Sequence, residues 1–181
     1  RRQGLRAGTR ICAGQVAEAR GDIMRARDAY EDAVRLAEQF QDDEMLANAL
    51  YGRGYVLGVQ GNYANGLMDL RRAQELYESL GRRLQSLTTL NSIAIIYNRM
   101  GDNAQAQSIY QRALQALRAE GLRRETAVTL YNLGRAAVSL EQWEAALESF
   151  QASLAESRAL GYERGEGYAL RGRAEVVVAR K

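Results

Sequence analysis

The chain has 181 residues, 46% apolar and 26% charged, the balance of a globular chain with enough apolar side chains to bury a core. With no histidine, no proline and a single cysteine, Cys12, it cannot build a Ser-His-Asp triad, a Cys-His dyad, a histidine-ligated zinc or a disulfide framework. Twenty-five basic against 22 acidic residues leave a scattered surplus of +3, too slight for a nucleic-acid footprint, and no apolar run approaches the ~18 residues of a membrane span.

Taken in chain order, the apolar spacing predicts nine helices, near residues 3–19, 23–40, 43–60, 63–80, 83–100, 103–120, 123–140, 143–160 and 163–180. Gly21 ends the first and Asp22 caps the second; Gln41 then precedes Asp42-Asp43-Glu44, whose carboxylates suit the positive end of the third helix. The same punctuation returns at Gly61-Asn62, Gly81, Gly101-Asp102, Gly121 and Gly161, with Glu141-Gln142 the poorest of these pairs. Glu163 and Glu166 open the last helix, and these acidic groups read as helix-start carboxylates rather than an acid/base pair. In the eighth helix Trp143, Ala146, Leu147, Phe150 and Leu154 fall at i, i+3, i+4, i+7 and i+11, one buried stripe with Trp143 as a core anchor.

Cut at Gly21, Gly61, Gly101 and Glu141, the chain aligns with itself without a gap at a period of 40, and residues 1–20 align with the second half of a block. The expected organisation is a single all-α array over 1–181: a partial repeat at 1–20, then helix pairs at 21–60, 61–100, 101–140 and 141–180. The opening Arg1, where an initiator methionine would stand, marks the chain as an expected excerpt of a larger protein.

Two internal patterns recur with the same distances: Leu130-x2-Leu133-Gly134-x2-Ala137 leading to Ala146-x3-Phe150, and Leu90-x2-Ile93-Ala94-x2-Tyr97 leading to Ala106-x3-Tyr110. A small residue recurs at Gly14, Gly54, Ala94, Gly134 and Ala174, and its packing partner at Ala26, Gly66, Ala106 and Ala146. The chain resembles the tetratricopeptide repeat family, in the extended 40-residue form found in spindle-orientation adaptors, kinesin light chains and bacterial multidomain regulators. It departs from the family pattern at the tryptophan position (Arg10, Leu50, Leu90, Leu130, Leu170), in lacking a closing proline, and in Arg53, where an apolar residue is expected.

The resemblance implies a right-handed α-solenoid whose first helices line a concave groove. Carried onto this sequence, the groove positions are Ile11, Cys12 and Gln15; Tyr51, Gly52, Tyr55 and Gly58; Asn91, Ser92, Ile95, Asn98 and Arg99; Tyr131, Asn132, Arg135 and Ser139; and Tyr168, Arg171 and Glu175. Asn91, Asn98 and Asn132 offer carboxamides suited to a peptide backbone, and Arg135 and Arg171 suit a carboxylate. Gly52 and Gly58 beside Tyr51 and Tyr55 are expected to leave a recess walled by two rings, with Gly54 explained by packing.

The function expected from the resemblance is a non-enzymatic scaffold that holds a protein or peptide segment in the groove, as the sensory or docking part of a larger cytoplasmic, bacterial-type regulator. No cofactor, metal, nucleic acid or membrane is expected. A second expectation is self-association or docking on an attached output domain, because Leu170, Ala174, Val177 and Val178 present an apolar face that would serve a homodimer. A third is sensing of a small metabolite in the same groove.

Overall fold

A computed structural model describes residues 4–180, and within them the chain forms nine α-helices and no strand. They are α1 (Gly4–Ala19), α2 (Ile23–Phe40), α3 (Asp43–Val59), α4 (Tyr63–Ser79), α5 (Arg83–Arg99), α6 (Asn103–Ala119), α7 (Arg123–Ser139), α8 (Trp143–Ala159) and α9 (Glu163–Ala179). The expected start of the first helix at Gln3 lies outside the described residues. All-α architecture and the helix count therefore agree with the periodicity.

Each of the eight connections turns on one residue with positive φ: Gly21, Gln41, Gly61, Gly81, Gly101, Gly121, Glu141 and Gly161. Glycine meets that demand without steric cost, which is why it fills six of these positions, while Gln41 (φ 53°) and Glu141 (φ 56°) adopt the left-handed conformation with a side chain. After each turn the next helix needs an acceptor for its first free amides. Asp22, Asp42 and Asp102 supply it, accepting from the backbone N–H of Arg25, Met45 and Gln105 at 3.2, 3.0 and 3.1 Å. Asn62 was expected to do likewise but makes no side-chain cap bond, and Gln142, the poorest expected cap, makes none either. Asp42→Ala is therefore expected to lower stability by about 1 kcal/mol and Asn62→Ala by no more than a few tenths, read as shifts in urea midpoint. Equal losses at both positions would remove this distinction between the caps.

The helices gather into two compact units, Arg1–Ile96 and Tyr97–Lys181, with the boundary inside α5. In the first unit α2 contributes Ala26, Tyr30, Ala33, Val34 and Ala37 to a core completed by Leu46, Leu50 and Val56 of α3 and by Ala73 and Tyr77 of α4. Helices α3 and α4 approach so closely that a Cβ on Gly54 would stand 2.9 Å from the carbonyl oxygen of Gly66, and one on Gly66 equally near that of Gly54. Both small positions anticipated from the repeat are thus required by backbone contact. Arg53, the apparent misfit, reaches across the same pair of helices to Asp69, with Nε and Nη2 donating to the two carboxylate oxygens at 2.7 and 2.9 Å. Asp69 is 3% exposed, so the guanidinium at the apolar position is the partner of a buried carboxylate.

In the second unit α6 buries Ala106, Ile109, Tyr110, Ala113 and Leu117. The stripe expected on α8 is present: Ala146, Phe150 and Leu154 are buried, and Trp143 and Leu147 pack against the cluster as half-buried residues. Ser153 donates from its hydroxyl to the carbonyl of Ala127 at 2.7 Å, which lets a polar side chain lie in the α7–α8 contact.

Candidate functional site

The first unit contains an open recess of about 800 Å3, and its construction begins at Tyr30. A ring at this position of α2 needs space in both neighbouring first helices. Gly14 of α1 and Gly52 of α3 provide it, since a Cβ on either would lie 2.7 or 2.3 Å from the Tyr30 ring. This corrects the expectation that Gly52 and Gly58 open the groove: Gly52 is filled by Tyr30, and a Cβ on Gly58 would stand 2.7 Å from the Ile96 side chain. Both glycines serve packing, as Gly54 does.

The recess exists nonetheless, with Tyr51 and Tyr55 on its wall as expected, but its other rings, Tyr30 and Tyr77, come from second helices. Three of the four phenols are fixed by the framework. Tyr30 donates to Glu18 Oε2 at 2.9 Å, Tyr77 donates to Asn48 Oδ1 at 2.8 Å, and the Tyr51 hydroxyl shares a 3.3 Å hydrogen bond with Ser92. Burial pushes the pKa of Tyr30, Tyr51 and Tyr77 above the usual phenol value; the Glu18 contact adds to the rise at Tyr30, while the Ser92 bond opposes it at Tyr51. These groups therefore stay neutral throughout the physiological range and act as hydrogen-bonding aromatic walls. Exposed Cys12, Gln15 and Gln85 edge the opening, and half-buried Met45, Asn48 and Thr88 continue the lining.

The second unit collects another part of the expected groove set. Tyr131 of α7 stacks on Tyr168 of α9 with centroids 5.5 Å apart and planes inclined at 26°, and it meets buried Phe150 at 5.8 Å. Arg171, one helical turn beyond Tyr168, places its guanidinium carbon 5.5 Å from that ring and donates from Nη2 to the Tyr131 hydroxyl at 3.3 Å. Tyr131, Tyr168 and Arg171 are thus brought together, with Glu175 3.6 Å from Arg171. Arg135 is exposed, and its charge acts on Tyr110, whose phenol is held up by burial with Arg135 working in the opposite sense. Asn91 and Asn132 are half-buried in α5 and α7. Asn98 is drawn to the start of α6, where its amide donates to Asn103 Oδ1 at 2.8 Å.

Sequence reasoning missed Tyr30, Tyr77, Glu18 and Asn48 because it confined the lining to positions beside the small residue of each first helix. A signal was present: Gly14 and Gly52 flank Tyr30 as Gly134 and Gly172 flank Phe150, each pair 38 residues apart. Two glycines at that spacing around an aromatic mark a ring driven between alternate helices.

The remaining candidates take their expected places. Asp42 caps α3, Asp43 and Glu44 occupy its first turn, and Glu163 and Glu166 occupy that of α9. Leu170, Val177 and Val178 of α9 are 46, 55 and 72% exposed, so the apolar face read from the sequence is present. Among the described residues no three histidine, cysteine, aspartate or glutamate side chains gather where they could hold a metal ion, and no helix is long and apolar enough to cross a membrane.

In structure, the chain is similar to the apo form of RapI, with a TM-score of 0.79 at 14% identity over 97% of this chain and 49% of that one. A Rap protein complexed with competence and sporulation factor gives 0.80 at 17% identity, covering 90% of this chain and 46% of the other. A putative kinesin light chain of Podosopora anserina with nearly identical repeats gives 0.72 at 14% identity, covering 99% and 92%. At such identities the likeness concerns the fold alone, and the chain spans about half the length of the two Rap proteins. No curated protein sequence matches it. The sequence profile of the tetratricopeptide repeat matches residues 45–119 and again 85–159, the first match running from α3 to α6 and the second from α5 to α8, and the chain belongs to the tetratricopeptide repeat family.

Proposed function

We propose that this chain is a non-enzymatic scaffold that binds a peptide or protein segment, as the docking or sensory part of a larger cytoplasmic regulator of the bacterial kind. The observation that carries the reading is the recess of the first unit: about 800 Å3, open to solvent along one side, with aromatic walls and carboxamide side chains at Gln15, Asn48 and Gln85. Amides donate and accept at once, which is what an extended backbone asks of a surface, and rings supply apolar area at low entropy cost. The volume falls in the range of roughly 300–1,000 Å3 typical of ligand sites. Support also comes from similar structures solved as complexes: a Rap protein with competence and sporulation factor, and the Rap conjugation gene regulator of plasmid pLS20 with the Phr* peptide, the latter at a TM-score of 0.73 and 16% identity. Tyr131, Tyr168 and Arg171 of the second unit form a further contact patch in this reading, with Asn91, Asn98, Asn132 and Arg135 as additional polar groups.

The test is a selection from a phage-displayed library of random linear peptides on the purified chain, followed by titration of the enriched sequences by fluorescence anisotropy. Enrichment of related sequences is expected, with affinity reduced at least about tenfold by Gln85→Trp, which fills the mouth of the recess from an exposed position and leaves the tyrosines in place. No enrichment over the unselected library, or equal binding by a folded Gln85→Trp variant, overturns the reading.

A further inference from the structure

Among the described residues the lining of the recess carries one full charge, and that charge is negative. Glu18, near the end of α1, lies beside Tyr30 and faces the cavity, while among the described residues no arginine contributes to the wall. Elsewhere in the protein carboxylates meet guanidinium groups: Asp32 pairs with Arg10, Glu38 with Arg72, Glu44 with Arg82 and Glu156 with Arg123. Among the described residues Glu18 is bonded to a phenol instead, with Tyr30 occupying one of its oxygens at 2.9 Å.

That arrangement keeps the negative charge while orienting it. A hydroxyl donor satisfies one lone pair of a carboxylate and leaves the group anionic, able to accept further hydrogen bonds. Ion pairing with an arginine of the framework would have cancelled the charge. The rings of Tyr30, Tyr51, Tyr55 and Tyr77 line the same recess as Glu18, with Tyr30 in direct contact with it, and the faces of such rings attract cations. Three of these phenols donate to or share hydrogen bonds with framework groups, which holds the rings in fixed orientation.

We infer that the recess selects peptides carrying an arginine side chain, with the guanidinium bound to Glu18 and stacked among the tyrosines while Gln15, Asn48 and Gln85 hold the adjoining backbone. The inference rests on the peptide-binding reading and adds the chemistry of the bound residue. Guanidinium fits better than ammonium here, because its plane stacks on aromatic faces while its edge donates two parallel hydrogen bonds to a carboxylate. An acidic side chain is disfavoured, since it would meet Glu18 with no cation among the described lining residues to offset it.

The experiment uses the full chain and three sets of degenerate pentapeptides, identical except for a fixed central arginine, citrulline or glutamate, titrated by calorimetry. Citrulline keeps the planar shape of arginine and three of its five N–H donors, with a carbonyl oxygen in place of one NH2 and no charge. The arginine set is expected to bind about tenfold tighter than the citrulline set, with the glutamate set weakest. Glu18→Gln, which retains an acceptor for Tyr30, is expected to bring the arginine set down to the citrulline level and leave the citrulline set unchanged, with thermal unfolding confirming an intact fold. Arginine and citrulline sets binding equally, or an unchanged preference in Glu18→Gln, overturns the cation inference while peptide binding stands. Failure of all three sets overturns both. Acetyl-arginine amide binding as tightly as the arginine pentapeptides makes the recess a site for small cations and also overturns the inference.

Discussion

Replacing Phe150 with alanine is expected to destabilise the second unit by about 3–5 kcal/mol, near the top of the range for single substitutions. The side chain is fully buried, and its seat is made by two residues that have no side chains of their own. Cβ atoms on Gly134 and Gly172 would lie 2.7 and 2.6 Å from the ring, so these two positions have no side chain to swing inward and refill the void. The converse substitution has the same cause. Gly172→Ala gains up to about 1 kcal/mol of helix propensity, yet it places a methyl group against a rigid ring, and the clash is expected to exceed the gain. Gly172→Ala combined with Phe150→Leu is then expected to recover part of the loss, because a smaller, flexible side chain can yield. Repeat proteins need not unfold in one step, so the measurement is urea unfolding by circular dichroism alongside amide exchange in α7, α8 and α9. A loss below 1 kcal/mol for Phe150→Ala, or a stabilising Gly172→Ala, would contradict this account of the paired glycines.

Breaking the Arg53 and Asp69 pair is the second large effect. Asp69→Ala is expected to cost about 3–5 kcal/mol, because it strands a guanidinium whose side chain is only 23% exposed. Asp69 raises the Arg53 pKa in the wild type, and once that partner is gone the guanidinium still keeps its proton at any accessible pH, because its intrinsic pKa lies far above that range. Removing both charges tells the pair's net contribution from the penalty of leaving one behind. The double variant Arg53→Met with Asp69→Leu is expected to come within about 1 kcal/mol of the wild type, since apolar replacements of similar volume often match a buried ion pair. Urea midpoints of the two single variants and the double variant close the cycle. A double variant as unstable as Asp69→Ala would show that the position requires the charges themselves.

These two sites also mark how far the sequence could be read. The helices were legible nearly to the residue because turn glycines and apolar spacing agree at every repeat; α2 spans the expected 23–40, and α3 differs from the expected range only at its last residue. Gly54 and Gly66 were legible as small positions because a recurring small residue has one simple cause. Arg53 was visible only as a departure, since its partner is sixteen residues away on another helix and pairing across that gap requires the helix crossing to be known. The recess was half legible. Tyr51 and Tyr55 followed from their place on a first helix, but Tyr30 and Tyr77 reach the same space from second helices, and the glycine that admits Tyr30 looks in sequence like an opening. Glu18 carried no mark at all: a single glutamate near a helix end differs from any solvated one only by what surrounds it.

The regular placement of the left-handed residues, one every twenty positions from Gly21 to Gly161, limits how the length of this chain can change during evolution. Deleting or inserting one residue within a helix turns everything after it by about 100° about the axis. Ala146, Phe150 and Leu154 would then leave the core together, and the following turn would fall out of step with its cap. Additions at the turn glycines avoid that rotation, since a Cβ at Gly21, Gly61, Gly81, Gly101, Gly121 or Gly161 meets nothing within 4 Å. The gene can therefore lengthen or shorten without loss of fold by whole forty-residue units or by additions at these six corners, while the helices between the turns are held to a fixed count.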